Sequence, residues 1–380
     1  MKRHLLIAAR LLLVAIGVLA VILLVDWRTV VVIPPGSPGP DARIVDVPTE
    51  FAVLETTSLD DGRVQARFED GTTETVPADW IRPGLLSVLR DADAFWLLLG
   101  LAIAGVIYPL QTTRWWALMR CRGIGANWLK TLRLVMAGAF CNFLLPGTEG
   151  GDVVKAWGVA AGSGRRIEAV MSVMVDRITG ITGLILLAAI AGLAAEGVGA
   201  GTELGRWAGW TMLLLVTVVA VTFGFAGRGW IRVPQRLDRF GRGLPSRVIA
   251  AATAYFGHPG ALVSATLLSL LVQTLLALVA GCCARSLDAP VELSVILVAM
   301  PLIFLAAAIP ITWQGVGVME LAAIGLLVGD GGVSVNQIVG MLLLYRGIEF
   351  AWSLAGAVPV LRGGIRIHPH HTIEPAGSEV

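Results

Sequence analysis

Asn142-Phe143-Leu144-Leu145-Pro146-Gly147-Thr148-Glu149-Gly150-Gly151-Asp152 interrupts an apolar stretch that otherwise runs from 127 to 162. Proline and glycine break helices and buried carboxylates are costly, so this centre divides the stretch into arms of roughly 13–20 residues. A helix needs about 20 residues to cross ~30 Å of hydrocarbon. Arms that short suit a hairpin returning to its own side better than two full crossings. A second stretch, 291–328, is broken alike at Ile309-Pro310 and continues Ile311-Thr312-Trp313-Gln314-Gly315-Val316-Gly317.

The surrounding chain supplies a membrane setting. Of 380 residues, 56% are hydrophobic and 15% charged, and the mean hydropathy is +0.78. Soluble domains run at about 45–50% and about 25%. Lipid is therefore the solvent this chain is built for. A net charge of +2 offers no bulk attraction to nucleic acid. Cys121, Cys141, Cys282 and Cys283 have no metal-ligand spacing and read as small packing residues. No metal and no cofactor is expected.

Lys2, Arg3 and His4 precede an apolar run over 5–25 that lacks a signal-peptidase site, so 1–25 reads as an uncleaved signal-anchor helix. Residues 26–91 differ, with twelve Asp or Glu against six Arg. Alternation in Arg63-Val64-Gln65-Ala66-Arg67-Phe68 and the turn dipeptides Asp61-Gly62 and Asp70-Gly71 predict a small β-rich insert of three to five strands. Further spans are expected at 94–111, 167–191, 207–226, 259–284 and 335–361. Arg114, Arg120, Arg122 and Lys130, six arginines between 228 and 247, and Arg362 with Arg366 assign their joints and both termini to the cytoplasm. Acidic joints and the insert fall outside. The expected architecture is an all-α polytopic membrane protein with about six transmembrane helices and two opposed re-entrant hairpins. It divides into 1–25, the extracytoplasmic insert 26–91, a main domain over 92–362 and a cytoplasmic tail over 363–380. A double crossing by just one broken region satisfies the same charges.

The two centres share Pro, Thr and Gly at equal offsets: Pro146 and Pro310, Thr148 and Thr312, Gly151 and Gly315. Arg177 and Arg346 follow the two prolines by 31 and 36 residues. With opposite sidedness, that pattern predicts an inverted repeat whose broken helices meet near midplane.

Eight ionisable residues fall at membrane depth: Glu149, Asp152, Lys155, Asp176, Arg177, Glu320, Arg346 and Glu349. Unpaired in lipid, at about 2.5–3.5 kcal/mol each, they would cost roughly 20–28 kcal/mol. Typical folding stability is only ~5–15 kcal/mol. They must pair, face the interior or line a wet cavity. Spacing of i,i+3 puts Asp152 with Lys155, and Arg346 with Glu349, on shared faces. Asp176 and Arg177 point about 100° apart, so each needs a partner elsewhere. The plain alternative is a set of buried ion pairs that fix helix register. Gly150-Gly151 and Gly315-Val316-Gly317 would open helical arms whose free N–H groups suit an anion. Glycine equally serves close helix packing in membranes.

Asn142 to Gly147, Gly150-Gly151-Asp152, Ser172-Val173 and Asp176-Arg177 resemble the first signature of a flippase-like membrane family. That family includes the transmembrane region of lysylphosphatidylglycerol synthases. Pro310-Ile311-Thr312, Gly315-Val316-Gly317 and Glu320 resemble its second signature, and Tyr345-Arg346 its last. The likeness covers about 94–362. Trp313-Gln314 stand where the family usually has a second glycine, which alters the hydrogen-bonding groups and bulk at this centre. About eighteen residues follow Arg362, so the soluble aminoacyl-transferring domain of the lipid synthases is not expected here.

The resemblance implies translocation of an anionic phospholipid or polyprenyl-phosphate lipid across the cytoplasmic membrane. The expected head-group site comprises Asn142, Gly150, Gly151, Asp152, Lys155, Asp176, Arg177, Thr312, Gln314, Gly315, Gly317, Glu320, Arg346 and Glu349. Its phosphate would lie near Arg177 and Arg346, while Glu149, Asp152, Glu320 and Glu349 hold the empty site or carry protons. Membrane lipids with anionic head groups are the expected partners, with an envelope protein docking on 26–91. The alternatives are an integral membrane enzyme acting on a lipid-linked phosphate or sugar, with Asp152 or Glu149 as base, or a partner subunit of an envelope complex that docks through 26–91. No nucleophile–base pair or nucleotide loop supports the enzyme.

Overall fold

The structure, a computed structural model, describes residues 21–35, 49–58, 63–68, 71–144, 150–163, 165–197, 253–308, 312–328 and 333–361. Residues 19, 37, 210, 247, 250 and 251 are described besides. The signal-anchor run before residue 19, the expected span at 207–226 and the tail at 363–380 lie outside the described residues, Leu19 to Val25 and Trp210 partly excepted. So do Pro146, Gly147, Thr148, Glu149, Pro310 and Ile311.

Alternation in the insert produces a five-stranded antiparallel sheet. Its strands are β1 (Val30–Ile33), β2 (Thr49–Ser58), β3 (Arg63–Phe68), β4 (Thr73–Pro77) and β5 (Ile81–Arg82), in the order β4-β3-β2-β1-β5. Along β3, Val64, Ala66 and Phe68 are buried while Arg63, Gln65 and Arg67 face out, the two-residue period of a sheet with one covered face. Val31, Ile33, Val53 and Val76 complete that small core.

After the short helix α1 (Leu85–Arg90) the described elements are all helical. Among the described residues four helices are long and apolar enough to cross a membrane: α2 (Ala94–Cys121), α5 (Arg166–Gly197), α6 (Pro259–Ser286) and α9, which starts as Val335–Ser353 and reaches Leu361 through a short 3-10 turn. The first is longer than the expected 94–111. Pro109 lies inside α2 without ending it, so Arg114 falls within the helix rather than in a joint. Cys282 and Cys283 are buried in α6, and all four cysteines are free thiols.

Hydrogen bonds define the two ends of the bundle. At one end Asn336 donates to the carbonyls of Asp26 (3.0 Å) and Pro83 (2.8 Å) and accepts from Asp26 N at 3.0 Å. Asp93 N donates to Ser286 O there at 2.8 Å. At the other end Arg165 donates to Arg122 O at 3.4 Å, and the Arg122 guanidinium lies 5.6 Å from the centre of the Tyr255 ring. Tyr255 precedes α6 in a 3-10 turn. Burial raises its phenol above the ordinary value, and its hydroxyl has no partner among the described residues.

Two pairs of shorter helices reach inward from opposite ends. The helices α3 (Trp128–Leu144) and α4 (Gly150–Ser163) are about 25 and 21 Å long at 1.5 Å per residue. Near the start of α3, Trp128 Nε1 donates to Thr113 Oγ1 at 3.1 Å and Trp116 Nε1 to Ala126 O at 2.9 Å. The end of α4 leads into Arg165 at that same end. The second pair, α7 (Leu293–Ala308) and α8 (Val318–Leu327), is about 24 and 15 Å long. Its outer ends lie beside the insert, where Ile324 of α8 packs with Val25, Leu85 and Val339. The inner ends of the two pairs touch: Gln314 Nε2 donates to Asn142 O at 2.6 Å.

Candidate functional site

The backbone between α7 and α8 is shaped by left-handed residues. Gly315 has φ +70° and Gly317 φ +84°, and a Cβ on Gly315 would come within 2.7 Å of Ala307 Cβ. Gln314 adopts φ +51°, a conformation that costs an L-residue about 1–2 kcal/mol. Its contacts explain the tolerance. The amide holds Asn142 across the inner ends, and the Gln314 carbonyl accepts from Arg346 Nη1 at 3.2 Å.

Each inner end carries an acid in the first turn of a helix, paired with an arginine on the following long helix. Arg177 Nε of α5 donates to Asp152 Oδ2 of α4, while Arg346 Nε of α9 donates to Glu320 Oε1 of α8 at 3.2 Å. The acid precedes its arginine by 25 residues in the first case and 26 in the second. Both pairs are thus built alike, Nε to carboxylate, each from the first turn of a short helix to the long helix that follows. Lys155 Nζ approaches Asp152 at 3.6 Å and lies 5.8 Å from the Trp115 ring centre.

Several expectations need correction here. Arg346 does not pair with Glu349, although three residues separate them. Its guanidinium is drawn to Glu320, Gln314 O and Met319 Sδ, and Glu349 instead accepts from Tyr345 OH at 3.1 Å. A charged partner on a neighbouring helix outweighs a weak same-helix pair. Arg114, expected in a cytoplasmic basic cluster, is 7% exposed. It donates to Asp176 Oδ1 at 2.7 Å and to Ser269 Oγ at 2.9 Å. Its spacing to Asp176 is 62 residues, which no local pattern reveals. Two of the glycine N–H groups are engaged within the protein: Gly151 N donates to Asn142 Oδ1 at 2.7 Å and Gly317 N to Glu320 Oε2 at 2.6 Å. A Cβ on Gly151 would collide with Gly138 O, so close helix packing is that glycine's evident role. Thr312 is buried, and its hydroxyl has no partner among the described residues.

Between the inner ends lies a cavity of about 360 Å³. Arg346, Glu349, Gln314, Asn142 and Gln111 supply its polar wall, while Tyr108, Phe143, Phe304 and Tyr345 supply aromatic surface. Arg346 reaches this space. Arg177 and Asp152 are not among its lining residues, and Asp176 belongs to the separate Arg114–Ser269 network. The expected residues therefore form two counterpart ion pairs joined through Asn142 and Gln314, with one cavity on the Arg346 side.

The lysylphosphatidylglycerol synthase TM region family matches residues 84–356. The chain belongs to that family. All the residues of both ion pairs, the bridge and the cavity lie inside the matched region, whereas the five strands precede it. Membership makes this an integral membrane protein with a lipid-related function. No curated protein matches the chain.

Proposed function

We propose that the protein moves a lipid with an anionic, phosphate-bearing head group between the leaflets of the cytoplasmic membrane. The observation carrying this reading is the contact of two inward-reaching helix pairs beside a polar cavity, each with an acid–arginine pair at its inner end. In this reading each pair is a re-entrant hairpin, the two are related as an inverted repeat, and the basic end of the bundle is cytoplasmic. The head group enters the cavity while its tails stay in lipid. Its phosphate replaces Glu320 on Arg346, because an arginine fork binds phosphate as readily as carboxylate. Asp152 and Arg177 are the counterpart that receives the head group when the opposite side opens. The cavity's ~360 Å³ lies within the ordinary range of small-ligand pockets, enough for a head group and not for acyl chains. Residues 26–91 form an extracytoplasmic appendage in this scheme and dock an envelope protein.

Purified protein in liposomes, with fluorescent phosphatidylglycerol and a membrane-impermeant quencher, tests the reading. Arg177→Ala/Arg346→Ala is expected to slow movement by at least about tenfold, the worth of one lost charge-assisted contact. Movement at the wild-type rate in that double variant would rule the mechanism out.

A further inference from the structure

The charges around the cavity do not balance evenly. In the first half Asp176, the acid beside Arg177, is met by Arg114. In the second half Glu349, three residues after Arg346, makes no direct ion pair among the described residues. It lines the cavity and accepts one hydrogen bond, from the neutral Tyr345 hydroxyl. The nearest cation, Arg346, has its nitrogens directed to Glu320, the Gln314 carbonyl and the Met319 sulfur. The other titratable groups facing this place are Tyr108 from α2 and Cys283 from α6. Glu320 from α8 is already spent on Arg346. Arg346, one turn earlier, attracts Glu349 only at a distance, without the direct contact by which Arg114 meets Asp176.

We propose that Glu349 is a proton-binding site and that one proton travels with each anionic head group. This rests on the lipid reading above. A carboxylate that lines a polar cavity and has a neutral hydroxyl as its hydrogen-bond partner has a free oxygen to accept a proton from water there. When a phosphate displaces Glu320 from Arg346, Glu320 keeps the hydrogen bond from Gly317 N, and the cavity gains a further negative charge within reach of Glu349. A proton from water on the side of loading then binds a Glu349 carboxylate oxygen, and Tyr345 turns its hydroxyl from donor to acceptor. Release of the lipid on the other side removes that charge, and the proton leaves to water there. Lipid raises proton affinity and protons raise lipid affinity by the same factor, as linkage requires.

Two measurements test this on the full chain. In weakly buffered detergent solution, adding short-chain phosphatidylglycerol should take up close to one proton per bound lipid, read with a pH-indicator dye. In Glu349→Gln, proton uptake per bound lipid, with binding read by intrinsic tryptophan fluorescence, should fall to near zero. In liposomes, a pH gradient acid on the loading side should drive lipid accumulation, about tenfold per pH unit for one proton per lipid. Lipid that binds or moves without proton uptake or gradient response overturns the proton site and leaves the lipid reading standing. So does a Glu349→Gln protein that keeps the wild-type uptake or response. A wild type that neither binds nor moves the lipid overturns both.

Discussion

At the scale of single residues, what holds this protein together and what it uses are kept apart. Arg114, Asp176 and Ser269 form a closed network away from the cavity, with both charged side chains at or below 9% exposure. Breaking such a pair leaves one charge without compensation. Arg114→Met or Asp176→Leu alone should cost roughly 3–5 kcal/mol, and the two together should recover most of it. Thermal unfolding in detergent reads both. Tyr255 illustrates the opposite case. Its buried hydroxyl has no described partner, so Tyr255→Phe should be neutral or stabilising by up to ~1 kcal/mol. The same burial raises the pH at which it ionises, so the folded chain holds that proton above pH 10.0, where the unfolded chain releases it. Its share of stability is full below that pH and falls as pH rises past it, so Tyr255→Phe should flatten the alkaline decline in melting temperature. Neither Arg114 nor the partner of Arg346 was legible in sequence. Local spacing sees three or four residues along a helix, and these pairs span 62 and 26.

At the scale of elements, hydropathy and breakers said a great deal. The arms around Gly150-Gly151-Asp152 and around Gln314-Gly315 emerge as four short helices, and the alternation from Arg63 to Phe68 is one whole strand. Span ends were less legible. Hydropathy stops at the first arginine, whereas α2 continues to Cys121 because Asp176 neutralises Arg114 inside the bundle. Sidedness has a direct check in a cysteine-free background. Single cysteines at Ala126 and Arg165 should both react with an impermeant thiol reagent from the cytoplasmic side only. Cysteines at Glu292 and Ser334 should both react from the outside only. Reaction of the two members of a set from opposite sides would replace that helix pair with a single crossing.

At the scale of the whole molecule, the sheet and the bundle are joined narrowly. One side chain, Asn336, holds both the strand-side segment entering the insert at Asp26 and the one leaving it at Pro83. Replacing residues 30–82 by a short flexible linker, with Asp26 and Pro83 retained, should leave lipid movement in liposomes within about twofold, since surface loops tolerate such exchange. A loss of movement beyond that would give the insert a part in transport itself. Asn336 also begins the helix that bears Arg346, about 15 Å further along at 1.5 Å per residue. A helix is stiff over that length, so the clamp acts as the handle of a lever. A load taken up by the sheet is delivered to the guanidinium and to the carboxylate one turn beyond it. Asn336→Ala, which lets go of that handle, should uncouple any effect of an insert-bound antibody fragment on transport rate while the fragment still binds.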